Sequence, residues 1–83
     1  MAAKKLTLTI ITPTQTRLAT QAERVILRCT NGDIGILPGH DARAMTLTDG
    51  VLRILNEKEE KTLPLSGGLA AIENDVVTIL TND

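Results

Sequence analysis

Turn-forming residues recur about every eight to twelve positions along this chain, and no run of ten residues keeps its apolar side chains on a helical period. Asn31-Gly32, Pro38-Gly39, Asp49-Gly50, Ser66-Gly67-Gly68 and Glu73-Asn74-Asp75 cut the sequence into short pieces. Asn and Gly tolerate positive φ and proline fixes its own φ, so such clusters turn a chain sharply. A sequence punctuated this often has room for strands but not for helices.

Between the turns the apolar residues alternate. Leu6, Leu8 and Ile10 alternate with Thr7 and Thr9, and Pro13 stops the run. Arg17 to Ala22 is a weaker strand with Leu18 its only large apolar residue. Val25, Leu27 and Cys29 share one face, and Arg24, Ile26 and Arg28 the other. Met45 and Leu47 alternate with Ala44, Thr46 and Thr48, although propensity also permits a helical turn over Asp41 to Met45. Asp49-Gly50 reads as a hairpin turn, after which Leu52 and Ile54 run back opposite Arg53. Asn56 to Lys61 is charged and reads as a solvated loop or hairpin tip. Thr62 to Leu65 resumes, Ser66-Gly67-Gly68 breaks it as a sharp corner, and Leu69 to Ile72 joins Val76 to Leu80 through a last hairpin. The sum is roughly eight to ten short strands, the pattern of an all-β sandwich or flattened barrel. Leu8, Leu27, Leu47 and Ile79 are its expected core.

The 83 residues suffice for one domain, residues 1–83. None is Phe, Tyr or Trp, so Leu, Ile, Val, Met and Ala must build a thin core alone. Nine basic and ten acidic residues give a net charge of −1, with no basic cluster and no aromatic for a base to stack on. That composition argues against nucleic-acid binding. One cysteine, Cys29, leaves no partner for an intrachain disulfide and fits a reducing compartment. No apolar run approaches the length of a membrane span, and the N-terminus lacks a signal-peptide core. A soluble intracellular domain is the expectation.

The densest stretch runs from Thr30 to His40, Thr-Asn-Gly-Asp-Ile-Gly-Ile-Leu-Pro-Gly-His. A very short strand is pinned between two turns, and its ends present Asp33 and His40. Such a rigid, polar-tipped element suits docking; it also suits a mere β-sheet corner. His40 is the only histidine, too few for a zinc site. Pairing it with Cys29 as a nucleophile needs an exposed, low-pKa thiol, whereas Cys29 shares a face with Val25 and Leu27. Ser66-Gly67-Gly68 is no phosphate loop, because no lysine-bearing turn leads from it into a helix. Neither a cofactor nor a metal is expected.

Four features together resemble the N-terminal domain of the epsilon subunit of F-type ATP synthase, called delta in mitochondria. They are Leu6 to Pro13 ending in Thr-Pro, Gly32 to His40 (Gly-Asp-Ile-Gly-Ile-Leu-Pro-Gly-His), Gly50 to Ile54, and Leu65-Ser66-Gly67-Gly68 with Val76, Thr78 and Leu80 behind it. The resemblance covers essentially the whole chain in order. It implies a ten-stranded β-sandwich of two antiparallel sheets. The role it implies is a non-catalytic part of the rotor, bound to the gamma subunit and resting on the c-ring, peripheral to the membrane on its cytoplasmic face. Free-standing adaptor and small hydrolase are the other classes the residues leave open.

Carried over position by position, the resemblance puts Thr12, His40 and Met45 at the gamma interface and Gly32 and Asp33 at the c-ring. Each has a plainer role too: Thr12 in ending a strand, Asp33 in satisfying a turn, Met45 in the core. Asp41-Ala42-Arg43-Ala44 departs from the apolar residues the family usually carries there. The family's inhibitory helical hairpin has no counterpart before Asp83, so the resemblance implies coupling without inhibition of hydrolysis or ATP sensing.

Overall fold

The computed structural model describes residues 4–30 and 32–82. Seven strands follow in order: β1 (Leu6–Ile11), β2 (Thr16–Ala22), β3 (Arg24–Cys29), β4 (Gly32–Ile36), β5 (Arg43–Asn56), β6 (Glu59–Glu73) and β7 (Val76–Leu80). They form one hydrogen-bonded sheet in the order β2-β1-β7-β6-β5-β3-β4. Every pairing is antiparallel except β1 with β7, which run parallel. The all-β expectation holds, and the count differs: seven strands in one mixed sheet replace ten strands in two antiparallel sheets.

The difference has a physical origin in two glycine-containing clusters. Asp49-Gly50 is no hairpin turn; β5 continues through it and pairs with Ser66 and Leu65 of β6. Gly50 is there because Arg28 crosses over it, and a Cβ would stand 2.9 Å from Arg28 Cβ. Ser66-Gly67-Gly68 does bend the chain without ending the strand. Gly67 and Gly68 both have positive φ, +76° and +133°. At Gly68 a Cβ would also run into the Leu80 carbonyl, so no other residue fits. Thr81 Oγ1 donates to the Gly67 carbonyl at 3.0 Å and fixes the corner from the far side.

This corner turns both long strands over. In β5 the inward side chains are Met45 and Leu47 before the corner, then Leu52 and Ile54 after it. In β6 they are Leu63 and Leu65, then Ala70 and Ile72. The strict alternation of a strand permits such a change of parity only where its geometry breaks. The two halves of the long β5–β6 hairpin therefore face each other across the core. β3 pairs with the tip half through Arg24 to Ile26, while β7 pairs with the other half through Leu69 to Glu73. The sheet then closes on itself where Glu23 N donates to Leu55 O at 3.0 Å and Asn56 Nδ2 donates to Gln21 O at 3.2 Å. A folded-over sheet does the work of a sandwich.

The alternation in β1 places Leu6, Leu8 and Ile10 fully inside, where they meet Val25, Leu27, Ile36, Leu52, Val77 and Ile79. The expected core residues Leu8, Leu27, Leu47 and Ile79 are all buried. Each such aliphatic side chain contributes about 1.5–3 kcal/mol on leaving water. The residues 41–45 form strand from Arg43 onward rather than a helical turn. The charged tip narrows to Glu57 and Lys58, since Asn56 and Glu59 already pair. Asn74 and Asp75 have φ of 51° and 62°, the two left-handed residues of a tight hairpin between Glu73 and Val76. Asn31, half of the expected Asn31-Gly32 turn, lies outside the described residues.

Candidate functional site

Leu37-Pro38-Gly39-His40 is a β-turn closed by His40 N donating to Leu37 O at 3.2 Å. Proline at its second position and a Gly39 φ of +87° at its third define type II. His40 is half-buried, and its Nδ1 lies 2.9 Å from the Asp41 carbonyl oxygen. Gly39 N donates to Asp75 Oδ1 at 2.7 Å, which joins this turn to the β6–β7 hairpin tip.

Asp33 sits at the other end of β4, directly opposite Arg28 in the β3–β4 ladder. Their side chains form an ion pair of 3.6 Å, each 58% exposed. The carboxylate thus answers a cross-strand guanidinium. Gly32 beside it is exposed, and the space where a Cβ would point is open.

Met45 faces inward. Its thioether lies 3.4 Å from Cys29 Sγ, and it packs against the core edge. Burial pushes the Cys29 thiol up, opposed by the nearby Arg43 and assisted by Asp33. A raised pKa is the reverse of what a nucleophilic thiol requires. Thr12 is buried as well. Its N and Oγ1 both donate to the Gln15 carbonyl, at 2.9 and 3.1 Å, so it organises the turn between β1 and β2. Among the described residues no three His, Cys, Asp or Glu side chains converge as a metal site.

The five sequence-derived residues therefore separate. Gly32, Asp33 and Met45 line one groove of about 380 Å³ together with Cys29, Thr30 and Arg43. Thr12 lines a different groove with Leu69, Leu80 and Thr81. His40 belongs to neither and neighbours the Asp75 end of β7. Val76 stands beside Thr7 and Leu80 beside Ile11, so the Asp75 and Thr12 ends of that strand are roughly 13 Å apart at the usual rise per residue.

Between those ends lies a surface that reading for motifs passes over. Leu69 and Leu80 are paired across β6 and β7, and they are 55% and 49% exposed. Ala44, Thr46, Ala71 and Thr78 continue this outer face. The signal in β7 was available: Val77 and Ile79 take the inner face, which leaves Val76 and Leu80 outside. The exposure of Leu69 was hidden by the change of parity at Gly67-Gly68.

A tied turn, a cross-strand ion pair and an apolar outer face, all carried on a folded-over β-sheet, define an all-β domain of the sandwich class. It belongs to the family of the ATP synthase delta/epsilon chain beta-sandwich domain, whose family model matches residues 5–83. It is 43% identical over 77 residues to an ATP synthase epsilon chain of Synechococcus elongatus, covering 93% of this chain and 56% of that one. The corresponding chain of a Cyanothece species is 44% identical over 77 residues, with the same coverage. The chain spans little more than half the length of these relatives. Its fold matches a chain of the Euglena gracilis mitochondrial ATP synthase OSCP/F1/c-ring structure with a TM-score of 0.89 and 26% identity, over 100% of this chain and 53% of that one. A chain of the Tetrahymena thermophila mitochondrial ATP synthase central stalk/c-ring structure shares the fold at a TM-score of 0.77 and 18% identity, over 100% and 67%.

Proposed function

We propose that this chain is a non-catalytic central-stalk component of an F-type ATP synthase, coupling the gamma subunit to the c-ring during ion-driven ATP synthesis. The observation that carries this reading is the match of its whole length, at a TM-score of 0.89, to a chain in an F1/c-ring assembly. On this reading it lies on the cytoplasmic face of the membrane, held there through the complex. A part that transmits torque needs stiffness. The folded-over sheet supplies it through the long β5–β6 ladder and the Gly68 corner.

The gamma contact is assigned to Thr12, His40 and Met45, and the ring contact to Gly32 and Asp33. Of these, His40 and Asp33 offer polar side chains to a partner, while Thr12 and Met45 contribute by holding the local backbone and core edge in shape. The c-ring assignment of Asp33 is supported by its exposure at a strand end, where an acid sets register against a basic loop. The full chain is tested by pull-down against purified gamma subunit and against isolated c-ring, followed by reconstitution. Binding to both, with ion pumping that depends on the chain, is the expected result. Binding to neither identifies a free-standing adaptor instead.

A further inference from the structure

We propose that Asp75 is a positioning residue for His40: its carboxylate holds the Pro38-Gly39 turn at the height and angle from which the imidazole meets gamma. This rests on the reading that the His40 turn faces gamma.

In a type II turn the closing bond uses the amide of the fourth residue, here His40. The amide of the third residue, Gly39, takes no part in that bond and is left to donate outside the turn. Asp75 Oδ1 supplies one at 2.7 Å, the short distance of a charge-assisted hydrogen bond. Residues 37–42 belong to no strand, and the bonds of His40 to Leu37 and Asp41 are internal to this loop. Among the described residues, the Gly39–Asp75 bond is the hydrogen bond that ties the loop to another element.

Asp75 is suited to be the fixed end. It sits in a two-residue hairpin with left-handed φ, between the paired residues Glu73 and Val76. Its own carbonyl accepts Thr7 N at 2.8 Å, which anchors the tip to β1. Aspartate meets both demands, since it tolerates φ near +60° and carries a carboxylate one carbon from the backbone. Thirty-six positions separate it from Gly39, so the link is tertiary and is not visible as a local motif.

The test uses the full 83-residue chain and two variants. Asp75→Gly keeps the left-handed backbone and removes the acceptor; Asp75→Asn keeps both. Amide hydrogen exchange reads the tether without any partner. In Asp75→Gly the Gly39 amide exchanges about tenfold faster while Val77 and Ile79 are unchanged, and in Asp75→Asn it stays within about threefold. Gamma affinity then falls about three- to tenfold in Asp75→Gly and is restored in Asp75→Asn. In the double variant with His40→Ala the loss equals that of His40→Ala alone, because one residue acts through the other. Unchanged Gly39 exchange in Asp75→Gly overturns the tether, and additive losses overturn the positioning role. If the wild-type chain does not bind gamma although the exchange result is as expected, the docking reading falls and takes the positioning role with it, while the tether stands.

Discussion

Cys29 and Met45 meet sulfur to sulfur at 3.4 Å, one from β3 and one from β5, at the rim of the core. The contact lies beside the Cys29–Leu47 pair of the β3–β5 ladder, next to the break in register between Ile26 and Cys29, and there the thioether covers the thiol. Removing that cover uncovers the sulfur. Met45→Ala is expected to speed labelling of Cys29 by a neutral thiol reagent about fivefold or more, at a stability cost of about 1–3 kcal/mol for a half-buried methionine. Labelling kinetics at fixed pH check it; an unchanged rate means that Met45 does not guard the thiol.

The same thiol makes stability fall on the alkaline side. Burial raises its pKa above the ordinary value of about 8.5. Above that value the unfolded chain has lost the proton while the folded chain still holds it, so the unfolded state binds fewer protons and stability declines with rising pH. The contribution is complete below the ordinary thiol value and disappears as pH climbs through the folded one. Urea unfolding of the chain and of Cys29→Ala, compared between pH 7 and 10, is expected to show a steeper alkaline loss for the wild type. Parallel curves for the two proteins overturn this.

Much of this architecture was legible because strand patterning is local. Leu6, Leu8 and Ile10 announce their face by alternation alone, as do Val25 and Leu27. The strand count was not legible, because Asp49-Gly50 has the composition of a hairpin turn and its glycine serves a side chain arriving from elsewhere, Arg28. The site was read in pieces. Pro38-Gly39-His40 was visible as a turn, whereas its tie to Asp75 depends on the closure of the sheet. The resemblance assigns Thr12 and Met45 to an interface, and within this chain Thr12 Oγ1 faces Gln15 and Met45 Sδ faces Cys29. A sequence records which residue occupies a strand end, and only the packing says where its atoms point.

Gly68→Ala is expected to be among the most damaging single changes in the chain. It forces a side chain into a φ of +133° and into the Leu80 carbonyl, at the point where β5 and β6 turn over. Strain of this kind together with overpacking costs about 3 kcal/mol or more. Chemical denaturation measures it. Gly39→Ala is the control, since it has a positive φ but no neighbour within 4 Å of the added carbon, and it costs less. Equal losses at the two sites contradict the role given to the Gly68–Leu80 approach.

Arg28 and Asp33 allow the scaffold and the interface to be separated. They are directly opposed in the β3–β4 ladder, 3.6 Å apart and both 58% exposed. A pair that open to water is worth little, about 0–1 kcal/mol. Asp33→Lys replaces it by two facing cations, which costs up to about 1 kcal/mol more across a strand pair. Reversing the partner as well, in Arg28→Glu with Asp33→Lys, restores the attraction and with it the stability. On the proposed assignment of position 33 to the ring contact, however, that site keeps the wrong sign. The single and the double variant are therefore expected to lose c-ring affinity alike, and the loss in both shrinks with added salt, as a rim charge requires. Gamma affinity stays at the wild-type level in each. Recovery of ring binding in the double variant means that the pair acts only by stabilising β3 and β4. A loss of gamma binding in both variants means that the end of β4 belongs to the gamma face, and the division of the surface into two interfaces is then wrong.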